Sequence, residues 1–303
     1  MKIALLFSGQ GAQYPGMGRD LYEHYPESKE VFDQAGDKIR SLCFEGTKEE
    51  LAKTENTQPC VYTMTMAAYA ALKKEMDQKN YTISALAGFS LGEYAALTAG
   101  GLFSFHDGLQ LVTKRGQWME AAASGKGSMV ASLGEKEKTE ALVCKLEKRY
   151  TIQAVNYNCP GQIVVAGETE AISAYQQQAG EYGLKCIPLA VSGPFHSTFL
   201  TPVVEQLRDE LDRMDLGELT IPVVSNVTGT YMKGDLKELI SKQVASPVRW
   251  ESSIRFLIGE GFDTFIEVGP GKTLAGLCKK IDRTKGIHFV ENMETLNKVL
   301  GAL

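Results

Sequence analysis

Residues 83–92 read ISALAGFSLG. The first seven are apolar and small, the pattern of a short strand buried on both faces. Leu91–Ala99 then predicts a helix that starts at once. Between the two, Gly88-Phe89-Ser90-Leu91-Gly92 fits G-x-S-x-G at a strand-to-helix turn. So tight a turn has little room for side chains, and the glycines on either side of the serine relieve the crowding. The Ser90 hydroxyl then projects from the bend. The helix N-terminus behind it offers free N–H groups and partial positive charge, which stabilise a developing oxyanion. Taken alone, the stretch also fits an ordinary turn with a serine N-cap.

Upstream, IALLF (residues 3–7) ends in the glycine-rich SGQGAQ and predicts another strand buried on both faces. The spacing predicts an amphipathic helix over Leu21–Ile39 and a long one opened by Pro59 and running to about Met76. Ser104 with Asp107 predicts a capped helix to about Ala123. Glycines 125 and 127 mark a break. Strand-like and helical segments then alternate as β-α-β-β-α-β to about residue 191, a ferredoxin-like order. The larger pattern resumes with a helix near Phe199, a strand IPVVSNV, a helix to about Val244 and a strand FDTFIEVG. The expected fold class is α/β, a hydrolase-like parallel-sheet core with an inserted ferredoxin-like (βαββαβ) subdomain. The expected domains are 1–125 with 192–303, and 126–191.

A serine nucleophile needs a base, and histidine is the usual one. The chain has four histidines. His24 and His106 fall on surface-type helix ends, and His288 in a strand-like segment near the end. His196, in SGPFHST, follows a strand and precedes a helix, where open α/β sheets carry their chemistry. It is the candidate base, with a structural histidine as the alternative. On the helix after Asp107, the row Leu111, Arg115, Trp118, Ala122 puts one arginine on a largely apolar stripe. A buried guanidinium needs an anionic partner. Either Glu93 supplies it or a substrate carboxylate does, held by two parallel bonds.

The 303 residues are 44% hydrophobic and 23% charged, with net charge −5, which disfavours nucleic-acid binding. No run approaches the roughly 18 apolar residues of a membrane span, and MKIALLF lacks a signal-peptide cleavage pattern. A cytoplasmic location is expected. The six cysteines show no metal-ligand spacing and no disulfide framework, so neither metal nor disulfide is expected.

Several separated motifs occur in order: GQGAQ (9–13), GFSLGEYAAL (88–97), RGQWM (115–119), SGPFHS (192–197), KQVASPVRW (242–250) and EVGPGKTL (267–274). Together they resemble the malonyl-CoA:acyl carrier protein transacylases and the related acyltransferase domains of polyketide and fatty-acid synthases. The resemblance covers residues 3–280 and implies the same two-part fold. It implies Ser90 as nucleophile and His196 as base, oriented by the main-chain carbonyl of Gln243. It implies oxyanion-hole amides at Gln10 and Leu91, and Arg115 as the holder of the malonyl carboxylate. Phe195 matches the malonyl-selective form, and Asn158 is a candidate contact for the pantetheine arm, with a plain turn role as its alternative. Two positions depart from the family: Phe89 stands where histidine is usual, and Ser8 where proline is common.

The resemblance implies malonyl-CoA and acyl carrier protein as partners and no cofactor, coenzyme A thioester being a substrate. A monomer without nucleic-acid or membrane partner is expected. The basic stretch Lys279, Lys280, Arg283, Lys285 is a candidate docking face for an acidic carrier. The competing readings are a trans-acting polyketide acyltransferase, a thioester hydrolase with the same serine and histidine, and a non-catalytic carrier-binding module.

Overall fold

The computed structural model describes residues 1–303. Ile3–Phe7 forms β1, followed by helices α1 (Arg19–His24), α2 (Pro26–Ala35), α3 (Asp37–Glu45), α4 (Lys48–Ala52) and α5 (Thr54–Gln78). Strand β2 (Ile83–Gly88) runs into α6 (Leu91–Ala99), and α7 (Phe105–Ala123) comes next. Then follow β3 (Ser128–Leu133), α8 (Lys136–Leu146), β4 (Ile152–Cys159), β5 (Gln162–Gly167), α9 (Thr169–Ala179) and β6 (Lys185–Pro188). The remainder is α10 (Thr201–Arg213), β7 (Val223–Val224), α11 (Leu236–Gln243), α12 (Trp250–Gly259), β8 (Thr264–Val268), α13 (Thr273–Ile281), β9 (Gly286–Val290) and α14 (Met293–Ala302).

Five strands make a parallel sheet in the order β7-β2-β1-β8-β9. Central β1 is buried throughout: Ile3, Leu5 and Phe7 enter one apolar core, Ala4 and Leu6 the other. That two-sided burial is why IALLF and ISALAG are unbroken apolar runs. The other four strands make an antiparallel sheet in the order β4-β5-β3-β6, with α8 and α9 on one face. Its second face, through Met129, Ala131, Val155, Val164 and Ala166, joins the large core. A parallel bridge between Asn156 and Val248 binds the two sheets' surroundings further: Val248 N–H donates to Val155 O at 2.8 Å, and Tyr157 N–H to Val248 O at 2.9 Å. The fold is the α/β class with an inserted ferredoxin-like unit that the sequence predicts.

Local details differ from the sequence reading. The expected helix over 21–39 is broken twice, because Pro26 opens α2 and Gly36 takes φ 87° between α2 and α3. The long helix begins at Thr54, so Pro59 lies inside it and forfeits one backbone bond. The strand around IPVVSNV shrinks to Val223–Val224, and KCIPLAV to Lys185–Pro188, whose proline brings no N–H to the ladder. Helix α12 lies in a stretch the periodicity left unassigned.

The sharpest packing constraint lies at the β2–α6 turn. A Cβ on Gly88 would sit 2.0 Å from the Gly92 carbonyl, and one on Gly92 would sit 2.0 Å from Phe7 O. Backbone therefore crosses backbone here with no room for a methyl. Gly92→Ala is expected to destabilise the protein by about 3 kcal/mol or more, or to prevent folding. Exposed Gly276 in α13 faces open space, and Gly276→Ala should stabilise by about 0.5–1 kcal/mol. Urea unfolding of the two variants checks this, and equal midpoints would refute it.

Candidate active site

Three neighbouring strands deliver three loops to one point: β1 ends at Ser8-Gly9-Gln10, β2 at Phe89-Ser90, and β7 at Ser225-Asn226. The first two touch through Gly9, whose added Cβ would meet Phe89 O at 2.6 Å. Ser90 adopts φ 52°, ψ −103°, and His196 takes φ 60°. Only one other non-glycine residue, Asn80, has positive φ. Such backbone costs about 1–3 kcal/mol per residue and persists only when its surroundings over-determine it. Here Asn226 clamps the bend. Its Oδ1 accepts from Ser90 N–H at 2.7 Å and its Nδ2 donates to Gly88 O at 2.6 Å. Gln243 Nε2 donates to Ser90 O at 2.7 Å. Glu93, fully buried in the first turn of α6, accepts from Asn226 N–H at 2.5 Å and so fixes the clamp.

With its own N–H given to Asn226, Ser90 leaves the next amide, Leu91 N–H, to point out of the helix end. Neither Leu91 N–H nor Gln10 N–H donates to any protein acceptor. These are the two amides the family resemblance assigns to an oxyanion hole.

His196 lies 2.7 Å from Ser90 Oγ through Nε2. Its Nδ1 faces the carbonyls of Gln243 and Ser246, each at 3.1 Å. Carbonyls only accept, so Nδ1 carries the proton and Nε2 presents its lone pair to the serine hydroxyl. Burial, reinforced by the Arg115 charge, holds the His196 pKa down at about 4 against the two carbonyl bonds. The imidazole is thus neutral and able to accept a proton at physiological pH. His24 and His106 are exposed, and His288 lies on β9.

Arg115 projects from α7 and is 1% exposed. Its Nη1 donates to Gln58 Oε1 at 2.9 Å, and its Nη2 to Gln243 Oε1 and Ser90 Oγ, both at 3.1 Å. The guanidinium also stands 5.0 Å over the Tyr94 ring, while its Nε has no partner. Glu93 does not pair with it directly: that carboxylate turns to Asn226, and burial pushes its pKa up to about 8. The cation is thus held by neutral amides and a hydroxyl, which leaves it able to receive an anion.

A cavity of about 160 Å³ opens beside Ser90, lined by Gln10, Phe89, Ser90, Phe195 and His196 among others, with Arg115 behind its wall. A second cavity of about 270 Å³ adjoins it, sharing Gln10, Phe89 and Asn156 and adding Asn158, Leu274 and Leu277. Asn158 sits in β4 and not in the following turn, and although the residue is half-buried its Oδ1 is buried and has no partner. Phe89, packed edge-on against Trp250 at 5.5 Å, forms wall to both cavities. Lys279, Lys280 and Arg283 are exposed on and after α13, whose Leu277 lines the second cavity. Gln58, Asn226 and Ser246 escaped the sequence reading. Gln58 and Asn226 are amides inside otherwise ordinary segments, and only their burial shows their use; Ser246 acts through its main-chain carbonyl, which its side chain does not signal.

A serine on a strained strand-to-helix bend, a neutral histidine beside it and free amides nearby are the parts that acyl transfer through a serine requires. Residues 4–299 match the acyl transferase domain model, and the chain belongs to that family. It is 44% identical to the malonyl CoA-acyl carrier protein transacylase of Bacillus subtilis, over all of this chain and 97% of that protein. The solved malonyl CoA-acyl carrier protein transacylase of Clostridium perfringens is 40% identical with a TM-score of 0.94, covering 100% of this chain and 97% of that one. A solved complex of a type II PKS acyl-carrier protein with its malonyl-transacylase aligns over all of both chains, at 32% identity and a TM-score of 0.93.

The depressed His196 pKa sets the pH dependence. Free histidine protonates near 6.5, but here the neutral base persists down to about 4. The kcat/KM for Ser90 acylation should stay flat through pH 6 and fall only as pH approaches 4. Between those values the unfolded chain binds a proton that the folded chain refuses. This group's contribution to stability is therefore complete above about 6.5 and shrinks as pH falls toward 4. Rates in overlapping buffers check the first claim, and an acid limb near 6.5 would contradict it.

Proposed function

We propose that this acyl transferase moves a malonyl group from malonyl-CoA to the phosphopantetheine thiol of an acyl carrier protein, through a malonyl ester on Ser90. The observation that carries this reading is the buried Arg115, hydrogen-bonded to Ser90 Oγ and otherwise satisfied only by neutral acceptors. A guanidinium so near the nucleophile suits an acyl group that ends in a carboxylate. An uncharged acyl chain gains nothing from it, which disfavours a general thioester hydrolase.

In the first half-reaction Ser90 Oγ attacks the thioester carbonyl and its proton passes to His196 Nε2. The imidazolium keeps its Nδ1–H bonds to the carbonyls of Gln243 and Ser246. The tetrahedral oxyanion is held by the Gln10 and Leu91 amides. The carbon–sulfur bond breaks, His196 returns the proton to the coenzyme A thiolate, and the malonyl ester remains. In the second half the carrier thiol gives its proton to His196 and attacks the ester; the bond between the acyl carbon and Ser90 Oγ breaks, and His196 returns the proton to that oxygen. Losing one oxyanion donor costs about 10² to 10³ in rate, and the general base is worth about 10² to 10⁴. Asn158 and the second cavity are assigned to the pantetheine arm, and Phe195 to the wall of the acyl pocket. The carrier docks on the basic face of α13. A monomer in the cytoplasm needing no cofactor completes the reading, and no helix is long and apolar enough to cross a membrane.

Incubation with malonyl-CoA should give a mass increase of one malonyl group in the intact protein, discharged by adding carrier protein. Ser90→Ala should show no adduct; an adduct that survives this substitution would refute the nucleophile. Charge reversal in Lys279→Glu/Lys280→Glu should raise KM for carrier protein several-fold and leave that for malonyl-CoA in place, and equal effects on both would remove the docking face.

A further inference from the structure

Ser90 Oγ has two opposing partners. It donates to His196 Nε2 at 2.7 Å, the bond through which it is activated. It also accepts from Arg115 Nη2 at 3.1 Å. The second bond works against attack. A cationic donor draws density from the oxygen lone pair that must form the new bond, and an ester oxygen is a poorer acceptor than a hydroxyl. Acylation therefore weakens the Arg115 contact in a region where the guanidinium is nearly sealed from water. A buried charge that loses an acceptor is costly. Nothing nearby in the protein replaces the lost acceptor: Gln58 and Gln243 already use their amide oxygens, and Arg115 Nε is already without a partner.

A carboxylate on the acyl group would supply the replacement, and a better one, since a bond charged at both ends outcompetes a hydroxyl acceptor. We infer that the Arg115–Ser90 hydrogen bond masks the nucleophile until the acyl group's own carboxylate takes over the guanidinium, so that selection for carboxylated acyl groups acts on the rate of acylation as well as on binding. The inference rests on the carboxylate-holding role of Arg115 proposed above and extends it to the timing of attack.

The surroundings of His196 support the same coupling. After burial, Arg115 is the chief influence holding its basicity down. The other titratable groups behind the elbow are on α6: Glu93, which burial keeps largely protonated near neutrality, and Tyr94, whose hydroxyl burial pushes up to about 12. From α11 and the loop beyond it His196 meets only the carbonyls of Gln243 and Ser246. A carboxylate on Arg115 would cancel the opposing charge and strengthen the base while freeing the hydroxyl.

The test compares malonyl-CoA with acetoacetyl-CoA, in which a methyl ketone replaces the carboxylate at nearly the same shape. Single-turnover acylation of Ser90 is followed by rapid quench and intact mass, at saturating donor, for wild type and Arg115→Met. Wild type should acylate at least about tenfold faster with malonyl-CoA than with acetoacetyl-CoA. In Arg115→Met the malonyl rate should fall, and the saturated acetoacetyl rate should rise above wild type by about tenfold, the effect of removing one hydrogen bond from a charged donor. The variant leaves the Gln58 and Gln243 side-chain oxygens unpaired and could unfold. Wild type alone therefore supplies a second measurement: the acid limb of its saturated rate should lie at higher pH with malonyl-CoA than with acetoacetyl-CoA. Coincident limbs, or a saturated acetoacetyl rate in folded Arg115→Met no higher than wild type, would overturn the masking and leave Arg115 a binding residue only. Unchanged rate and affinity for malonyl-CoA in that variant would instead overturn the carboxylate-holding role itself.

Discussion

The site depends on a backbone crossing at Gly92, where the first turn of α6 passes so close to the end of β1 that a single methyl cannot fit. Gly88 on the same bend meets Gly92 with as little room. This contact fixes how sharply β2 turns into α6, and the turn drives Ser90 into left-handed backbone. The geometry of the candidate site then follows from where the bend places its atoms. The hydroxyl faces the cavity, the serine N–H is spent on Asn226, and the following amide is left free. The strain of that conformation is offset by three short bonds from Asn226 and Gln243. Stability and reactivity thus share the same few atoms.

Electrostatics at the site is organised around one buried cation. Arg115 lowers the basicity of His196, opposes protonation of Glu93, and touches the Ser90 hydroxyl itself. Burial is the larger influence on both neighbours, and it acts in the same direction on each: towards the uncharged form. The result is an elbow packed with a neutral imidazole at the cavity wall and, buried behind it, a largely protonated glutamate and an unneutralised guanidinium. Such a site is incomplete in charge, which is the ground for proposing an anionic acyl group. In the same low-polarity setting, hydrogen bonds from the Gln10 and Leu91 amides act with little competition from water.

The inserted unit is part of the site and not an ornament on it. One face of its sheet is buried in the large core, and the chain leaving it carries His196 back to the elbow. Met129, Asn156, Leu189 and Val191 from this part of the chain line the cleft beside Ser90. Because Asn156 and Val248 are bridged, the wall of the cleft is tied to the segment that also supplies the Ser246 carbonyl. Phe89 adds an apolar surface between the two cavities.

By itself the sequence determined the elements that rest on local chemistry: two strands buried on both faces, the glycines of the elbow, the capped α7 with Ser104 Oγ accepting from Asp107 N–H at 3.0 Å, and the βαββαβ order of the insert. It also singled out Ser90, His196 and Arg115, because a hydroxyl at a sharp turn, a loop histidine and an arginine on an apolar stripe each break an otherwise regular pattern. Helix boundaries around Pro26, Gly36 and Pro59 were misjudged, since a proline or glycine marks a disturbance without saying whether neighbouring packing absorbs it. Only the tertiary structure decided that Asn226 clamps the bend, that Gln58 and not Glu93 holds the guanidinium, and that Arg115 bonds Ser90 itself. These contacts join residues separated by 25 to 136 positions, and an amide side chain carries no local periodicity or spacing that would reveal its partner. Its role is set by which strands lie side by side in the sheet.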